Sequence, residues 1–377
     1  MFRTTVGDLS DLFSIVQAGM PSETVMRMIP IVHTFCFTSS GRCYAYDDVL
    51  LCTIKMDSEL SKLLASVAVS RLMQNLILGF SSTKEVLIEQ HHKVGNIKVK
   101  VGRMKATIST LPEKDFLLSD KDIQRFEEDV LVELDLAPLL DEEASAGLMF
   151  CIDCFSFNPA VPAQAGIVMQ ALGKALSFYS TDNVSLTRFT VRVPTKVKEA
   201  LQCIVPPRFF TELLNLRNVL SKKKWKKGIL RMGKASVSVK FGNILLASKV
   251  IPSDSLDMGV VIDKHCKNEM NLSSINKAVV AASTRMKMIL KDSGGVITVK
   301  PASSEGVYLE ASLEGVGRVT ERCLSLKVES PFSVDGIKFI RAATMFSTMA
   351  ESRTALIFRT KNDKIVHLLS KNSKQQS

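Results

Sequence analysis

Few residues in the chain have types and spacing that could do chemistry. Cys151 and Cys154 form a CxxC within Phe150-Cys-Ile-Asp-Cys-Phe-Ser-Phe157, a run that reads as a strand. In a strand, positions i and i+3 face opposite ways, so the two sulfurs would not grip one metal ion. Buried, reduced thiols are expected instead, and eight cysteines in 377 residues are too sparse for a disulfide scaffold. His91 and His92 precede a Val-Gly-Asn turn, and Asp263-Lys-His-Cys266 has no second pair to complete four ligands. Neither a metal nor a cofactor is expected. Gly228-Ile-Leu-Arg-Met-Gly-Lys234 matches GxxxxGK, but Ala235 stands where a Ser or Thr would hold magnesium, and the intervening residues are strand-like. The paired acids are Asp47-Asp48 at a turn and Asp141-Glu142-Glu143 at an expected helix end. Neither pair has a third carboxylate or base at a recognisable spacing. GxSxG and HExxH do not occur. The sequence does not read as an enzyme.

Charge is more informative. The net charge is +11 with a pI near 9.2, and the thirds cut at 122 and 254 carry +1, +4 and +6. One dense run, Lys222-Lys-Lys-Trp-Lys-Lys227, stands out. A basic chain points to a polyanionic partner, most often nucleic acid, against the plainer reading of a soluble basic surface. No basic-then-apolar leader opens the chain, and the nearly uncharged stretch from Ala144 to Gly173 is broken by Asp153, Pro159 and Pro162. No membrane association is expected.

The elements that must position any site recur three times. Each block is a short amphipathic helix followed by alternating strands. The first runs from a helix at Val69–Gly79 to strands at Glu85–Glu89 and Asn96–Val101. The second has Pro207–Arg217, then Ile229–Met232 and Ser236–Lys240; the third has Ile337–Phe346, then Ala355–Arg359 and Lys364–Leu368. The helix starts lie 138 and 130 residues apart. A second block precedes each, with strands at Thr34–Phe37 and Cys43–Tyr46, at Lys174–Tyr179, and at Val307–Ser312. Its helices are expected to be capped by Asp8 before Leu9 and by Ser274 before Ile275, with Leu134–Glu143 as the middle counterpart. The chain therefore reads as α+β, three copies of one unit with antiparallel sheets under helices, divided as 1–122, 123–254 and 255–377. Linkers are expected near Ser119–Glu128 and Pro252–Leu256, and a short polar tail at Ser370–Ser377. On the second helix Phe209, Leu213, Leu216 and Leu220 make a buried stripe that leaves Arg208 and Asn215 on another side. Lys338 and Arg341 are one turn apart on the third helix, as are Arg71 and Gln74 on the first. Such positions suit sequence-independent phosphate contact or are ordinary solvated faces.

Read in order, these blocks resemble the bacterial sliding clamp, the beta subunit of DNA polymerase III, and its phage relatives. Gly102-Arg-Met-Lys-Ala-Thr-Ile-Ser-Thr-Leu-Pro112 with Asp115-Phe116 looks like the family's end of the first domain. Ser180-Thr-Asp-Asn-Val-Ser-Leu186 is similar to its ATDGHRL segment, Ile204-Val-Pro-Pro-Arg-Phe-Phe-Thr-Glu-Leu214 to its VPRKxxxEL helix start, and Leu246-Ala-Ser-Lys-Val-Ile251 to its xxSKLI strand. The matches run in order from about residue 1 to 369, and their order, spacing and repetition carry the resemblance.

The resemblance implies a head-to-tail homodimer of three-domain subunits, with helices lining the ring interior and antiparallel sheets outside. It also implies a non-enzymatic processivity factor that encircles double-stranded DNA without reading its sequence and tethers a polymerase and a clamp loader through a short peptide motif. Its place would be the cytoplasm of a bacterium or infected host cell, at replicating DNA. By resemblance Arg208 falls on the DNA-facing position of the second helix and Arg71 close to the corresponding first-domain one, while Arg27 stands next to, not on, the family's first DNA-contacting arginine. Arg217, Lys338 and Arg341, with Lys222, Lys223 and Lys224 as an extra basic feature in the loop after the second helix, complete the candidate DNA-binding set. The implied partner pocket is Thr181, Asn183, Val184, Leu186, Leu256, Val261, Val366, Leu368 and Leu369, together with Ser185 and Val260. The implied dimer interface pairs Ala106 and Ile108 with Met286, Met288 and Ile289 of the other subunit. Two departures stand out. Bacterial clamps are usually acidic, which makes a +11 chain look like a divergent phage protein, and the family's Gly-His-Arg is Asn-Val-Ser here. The alternative is a non-ring nucleic-acid-binding scaffold with a clamp-like fold.

Overall fold

The computed structural model describes residues 2–21, 30–56, 59–64, 66–91, 95–158, 161, 164, 166–221, 227–252, 257–290, 295–313 and 317–372. The chain divides into two compact units. The first holds 1–141, 193–197 and 205–251; the second holds 142–192, 198–204 and 252–377.

In chain order β1 (Phe2–Thr5) leads into α1 (Val6–Val16), β2 (Thr34–Phe37), β3 (Arg42–Tyr46), β4 (Leu50–Lys55), α2 (Glu59–Leu63), β5 (Val67–Ser70) and α3 (Leu72–Leu78). There follow β6 (Glu85–His91), β7 (Asn96–Val101), β8 (Met104–Pro112), α4 (Asp120–Glu128) and β9 (Val132–Asp135). The chain then supplies the second unit with α5 (Glu142–Asp153), β10 (Ile167–Thr181) and much of β11 (Ser185–Val205). It returns to the first unit with α6 (Pro207–Ser221), β12 (Ile229–Met232), β13 (Ser236–Phe241) and β14 (Ile244–Lys249). The remainder builds the second unit: α7 (Met258–Lys267), β15 (Met270–Ser274), α8 (Lys277–Leu290), β16 (Val296–Pro301), β17 (Val307–Leu313) and β18 (Gly317–Cys323). It ends with β19 (Phe332–Asp335), α9 (Gly336–Met345), β20 (Thr348–Glu351), β21 (Ala355–Arg359) and β22 (Ile365–Ser370).

The first unit is a single sheet in the order β1-β6-β7-β8-β5-β2-β3-β4-β14-β13-β12-β9. Two repeats merge in it where β4 pairs β14, with Ile54 opposite Ile244 and Cys52 opposite Leu246. Alternation sets the faces. On β7, Ile97, Val99 and Val101 are buried while Lys98 and Lys100 are exposed. The buried side packs on α1 and α3 through Leu9, Phe13, Val16, Met73 and Ile77, with the Phe13 and Phe35 ring centroids 4.2 Å apart. On α6, Phe209, Leu213, Leu216 and Leu220 form the buried stripe that their spacing requires. Gly19 sits so close to β3 that any Cβ would collide with the Ala45 carbonyl.

The second unit holds two antiparallel sheets, β10-β11-β22-β21-β20-β15 and β18-β17-β16-β19. In the first, β11 of the middle repeat joins β22 of the last, Leu186 facing Leu368 and Ser185 facing Leu369. Phe339 of α9 meets Phe358 of β21 edge-on, with centroids 5.9 Å apart. The α+β reading with antiparallel sheets therefore holds.

Several local expectations are corrected. The CxxC lies at the end of a helix, α5, not in a strand: Cys151 is inside it and Cys154 just beyond. The run Met149-Phe150-Cys151 carries no clear period, so strand and helix cannot be told apart from it. Both thiols are buried, and burial pushes Cys154 up to about 11. Leu134–Glu143 is not one helix, because β9 ends at Asp135 and α5 begins at Glu142, which makes the acidic trio a helix start. Thr5, rather than Asp8, caps α1; its hydroxyl oxygen accepts from the Asp8 N–H at 3.1 Å. Asn276, rather than Ser274, caps α8, accepting from the Ala278 and Val279 N–H groups at 3.1 Å. Val69 and Ser70 belong to β5, so α3 starts at Leu72. The segment expected as a first linker is α4, closed by a capping box between Ser119 and Asp122. Among the described residues no helix is long and apolar enough to cross a membrane.

Candidate nucleic-acid interface

Arg27, Lys222, Lys223, Lys224 and Leu256 lie outside the described residues. The basic residues that are described sit on helices, and three of them are committed to carboxylates of their own unit. In the first unit, Arg208 at the start of α6 pairs with Asp47, whose side chain is almost buried in the β3–β4 turn. The same guanidinium donates to the carbonyls of Met20 and, at 3.3 Å, Ala18. Burial lowers the Arg208 pKa, opposed by the charge of Glu212 one turn on, and burial raises Glu212. Arg217, on the same helix, is half-buried. Arg71 takes the N-cap position of α3, where its N–H donates to the His33 carbonyl at 3.1 Å. Burial, with the Arg71 charge second, holds His33 below its usual pKa.

In the second unit, Lys338 Nζ lies 2.7 Å from Asp182 Oδ2, and Arg341 Nη1 lies 2.9 Å from the Asp153 carbonyl and 3.7 Å from its carboxylate. Both pairs line a cavity of about 320 Å³ with Phe150, Cys154, Ile337 and His367. His367 is fully enclosed. Its Nδ1 is 2.9 Å from Thr187 Oγ1, and burial takes its pKa down to about 3.

The residues implied for a partner pocket meet in the second unit in part. The turn 181–185 is built by Asp182, whose Oδ1 accepts from the Val184 and Ser185 N–H groups at 3.1 and 2.7 Å, with Asn183 at φ 71°. The β11–β22 ladder then sets Leu186 beside Leu368, and the Ser370 N–H donates to the Val184 carbonyl at 2.9 Å. Val366, Leu368 and Leu369 are buried within the unit, Leu186 and Thr181 are half-buried, and Asn183 is exposed. On α7, Val261 is 46 % and Val260 60 % exposed. That helix is tied down by Arg188–Asp263 at 2.7 Å.

Of the residues implied for a dimer interface, Ile108 and Met286 belong to the cores of their own units. Ala106 and Ile289 are half-buried, and Met288 stands 70 % exposed. β8 pairs β7 over Met104–Ser109 and turns to β5 only at Thr110–Pro112, which leaves one edge of Met104–Ser109 without a strand partner among the described residues. β18 ends its sheet.

What the sequence did not reveal is the partner of each cation. Asp47, Asp153 and Asp182 lie 161, 188 and 156 residues from Arg208, Arg341 and Lys338, and only the threefold repeat hinted that such segments meet. Among the described residues no group of three His, Cys, Asp or Glu side chains is placed to hold a metal ion.

This arrangement of two merged sheets and three helix–hairpin repeats is the sliding-clamp fold. The beta subunit of polymerase III from Caulobacter crescentus has it, with a TM-score of 0.80 at 13 % identity over 98 % of this chain and 99 % of that one. The DNA polymerase III subunit beta of Pseudomonas aeruginosa gives 0.79 at 14 % identity over 98 % and 99 %. The DNA polymerase sliding clamp of Bacillus subtilis gives 0.77 at 14 % over 99 % and 98 %. No family model matches the sequence, and no curated protein does.

Proposed function

We propose that this chain is a DNA polymerase processivity clamp: a non-enzymatic ring that encloses duplex DNA and tethers replication proteins to it. The observation that carries the proposal is the extent of the structural likeness, which runs end to end over 98 % of the chain rather than over one repeat. A three-repeat chain would then divide near 122 and 254, and two chains would close head to tail. Two features support closure. Among the described residues, Met104–Ser109 of β8 has a ladder edge without a strand partner, and β18 ends its sheet. Edge strands left open invite pairing with another chain. Exposed Met288 and half-buried Ile289 on α8, which packs on β18, supply apolar contact beside it, and Ala106 lies on the other edge. Isologous pairing is not required, since a head-to-tail contact closes if the rotation does.

Retention would come from topology, and the cations would contribute only diffuse attraction to phosphates. Arg71, Arg208, Arg217, Lys338 and Arg341, with Arg27 and Lys222–Lys224, form the proposed DNA-facing set. The proposed client site is the edge of Val261, Val260 and Leu186 beside the 181–185 turn, with Leu256 close in sequence and Val366, Leu368 and Leu369 as its floor. A polymerase and a clamp loader would dock there by a short apolar peptide. The net charge of +11 supports a divergent, phage-encoded member working at replicating DNA in the host cytoplasm. The test is mass in solution. A ring requires twice 41.5 kDa, and a persistent 41.5 kDa species at micromolar concentration would refute it.

A further inference from the structure

Part of the first unit's unpaired positive charge lies on its sheet. Arg208 is paired with Asp47, whereas Lys98, Lys100 and Lys105 have no ion pair among the described residues and all are exposed. They share the face of β7 and β8 turned away from α1 and α3, since their neighbours Ile97, Val99, Val101 and Ile108 fill the core. The ladder places Lys100 directly opposite Lys105 and Lys98 opposite Thr107. Lys98 and Lys100 are two residues apart, about 6.6 Å along the strand. The one carboxylate across the ladder is Glu89, opposite Lys98. Two like charges held directly opposite destabilise a sheet, and an anion lying over them removes that repulsion.

These side chains line a groove of about 470 Å³ together with Glu89 and Thr107 and, as its apolar residues, Leu87, Val99 and Ala106. None of those three is an exposed large apolar group, so an acidic protein would find charge there but no anchor, and anchors carry most of a protein interface's energy. The lining includes no aromatic residue, which removes the stacking platform that single strands use. A duplex backbone needs neither anchor nor ring. We propose that Lys98, Lys100 and Lys105 form a second, sequence-blind phosphodiester site for duplex nucleic acid on the sheet face, separate from any site on the helices. Lys105 lies on the β8 segment whose edge is proposed to close the ring, so the site rests on that closure using the strand edge and leaving the sheet face open.

The test uses the full chain, assembled beforehand, with covalently closed circular duplex and no loader. A closed ring cannot thread a closed circle, so binding reports the outside surface alone. The unmutated chain is expected to bind at about 50 mM salt and to lose that binding steeply toward about 200 mM. K98Q/K100Q/K105Q should lower the magnitude of the log–log salt slope by about 3, near 0.9 for each phosphate no longer neutralised. It should weaken binding at low salt at least about tenfold and keep or raise the melting temperature. The control K264Q/K267Q/K277Q removes the same charge from exposed lysines of the second unit and should leave the slope nearly unchanged. Equal slopes for the unmutated chain and the triple variant would overturn the site. So would an equal decrease in the control, which would mean undirected net charge, or tighter binding of polyglutamate than of duplex, which would mean an acidic protein surface. A monomeric mass would refute the ring, and the site would then be read from the slope difference between the triple variant and the control alone.

Discussion

Lys338 on α9 reaches Asp182, the residue whose other carboxylate oxygen shapes the 181–185 turn. The helix expected to face DNA and the turn expected to receive a client are thus joined by one ion pair within the second unit. The pair is mostly enclosed, with side-chain exposures of 27 % and 9 %. Removing the cation leaves a nearly buried carboxylate short of one partner, at a penalty of about 1–3 kcal/mol. Lys338→Ala should therefore reduce the unfolding free energy in urea by that amount and lower the DNA salt slope by less than 1, since its charge is already engaged. A full unit of slope with unchanged stability would show the lysine free for phosphate.

Arg208→Ala should behave in the same way in the first unit. It takes the cation from Asp47 Oδ2, leaving that carboxylate only the Val49 and Leu50 N–H groups at Oδ1, and leaves the Met20 carbonyl without its donor. Loss of stability should dominate, and calorimetry on the variant checks it. No sequence preference in DNA binding should appear.

Much of the fold is legible in the sequence, and most of what escapes it has a common cause. The hairpins Ile229–Met232 with Ser236–Lys240 and the stripe Phe209–Leu213–Leu216–Leu220 obey periods of 2 and 3.6, so pattern alone places them. Arg208 and Lys338 also lie on the helices that the pattern predicts. Their carboxylate partners could not be read, because pairing across more than 150 residues depends on which repeat packs on which. The same holds for β4 with β14 and β11 with β22, whose pairing joins strands of different repeats. The α5 run failed for a local reason: an apolar stretch with Gly147 and two cysteines carries no decisive period, and Gly147 is there because Phe189 and Ile365 leave no room for a side chain.

The apolar residues proposed for the client site should separate by burial. Val261 is exposed, so Val261→Asp should keep stability within about 0.5 kcal/mol and abolish stimulation of the cognate polymerase. Leu368 is buried, so Leu368→Asp should unfold the second unit or cost several kcal/mol. Paired denaturation curves and primer-extension assays distinguish them. Full polymerase stimulation by Val261→Asp would remove that residue from the site.

His367 predicts an acid-sensitive second unit. Its folded pKa near 3 lies below the ordinary value of 6.5, so between those limits the unfolded chain binds the extra proton. The stability it permits is complete above about pH 6.5 and falls as pH drops toward 3. The slope approaches about 1.4 kcal/mol per pH unit. His367→Gln should flatten the unfolding free energy between pH 6 and 4 relative to the unmutated chain, measured by urea titration at each pH. Parallel curves would mean that His367 is protonated in the fold.

Met288→Lys should convert a species of twice 41.5 kDa into one of 41.5 kDa without loss of helix signal, because Met288 is exposed in the single chain. Met286→Lys should instead unfold it, since Met286 is core. Light scattering with circular dichroism reads both. A Met288→Lys dimer would place the contact elsewhere.

Topological retention tests the clamp most directly. Dilute protomers are reassembled in the presence of nicked circular duplex and passed through a sizing column at about 200 mM salt, where surface attraction to phosphates is largely screened. The chain should elute with the circles and be released when a single double-strand cut linearises them. Equal elution with circular and linear DNA, or with neither, would contradict a ring that encloses its substrate.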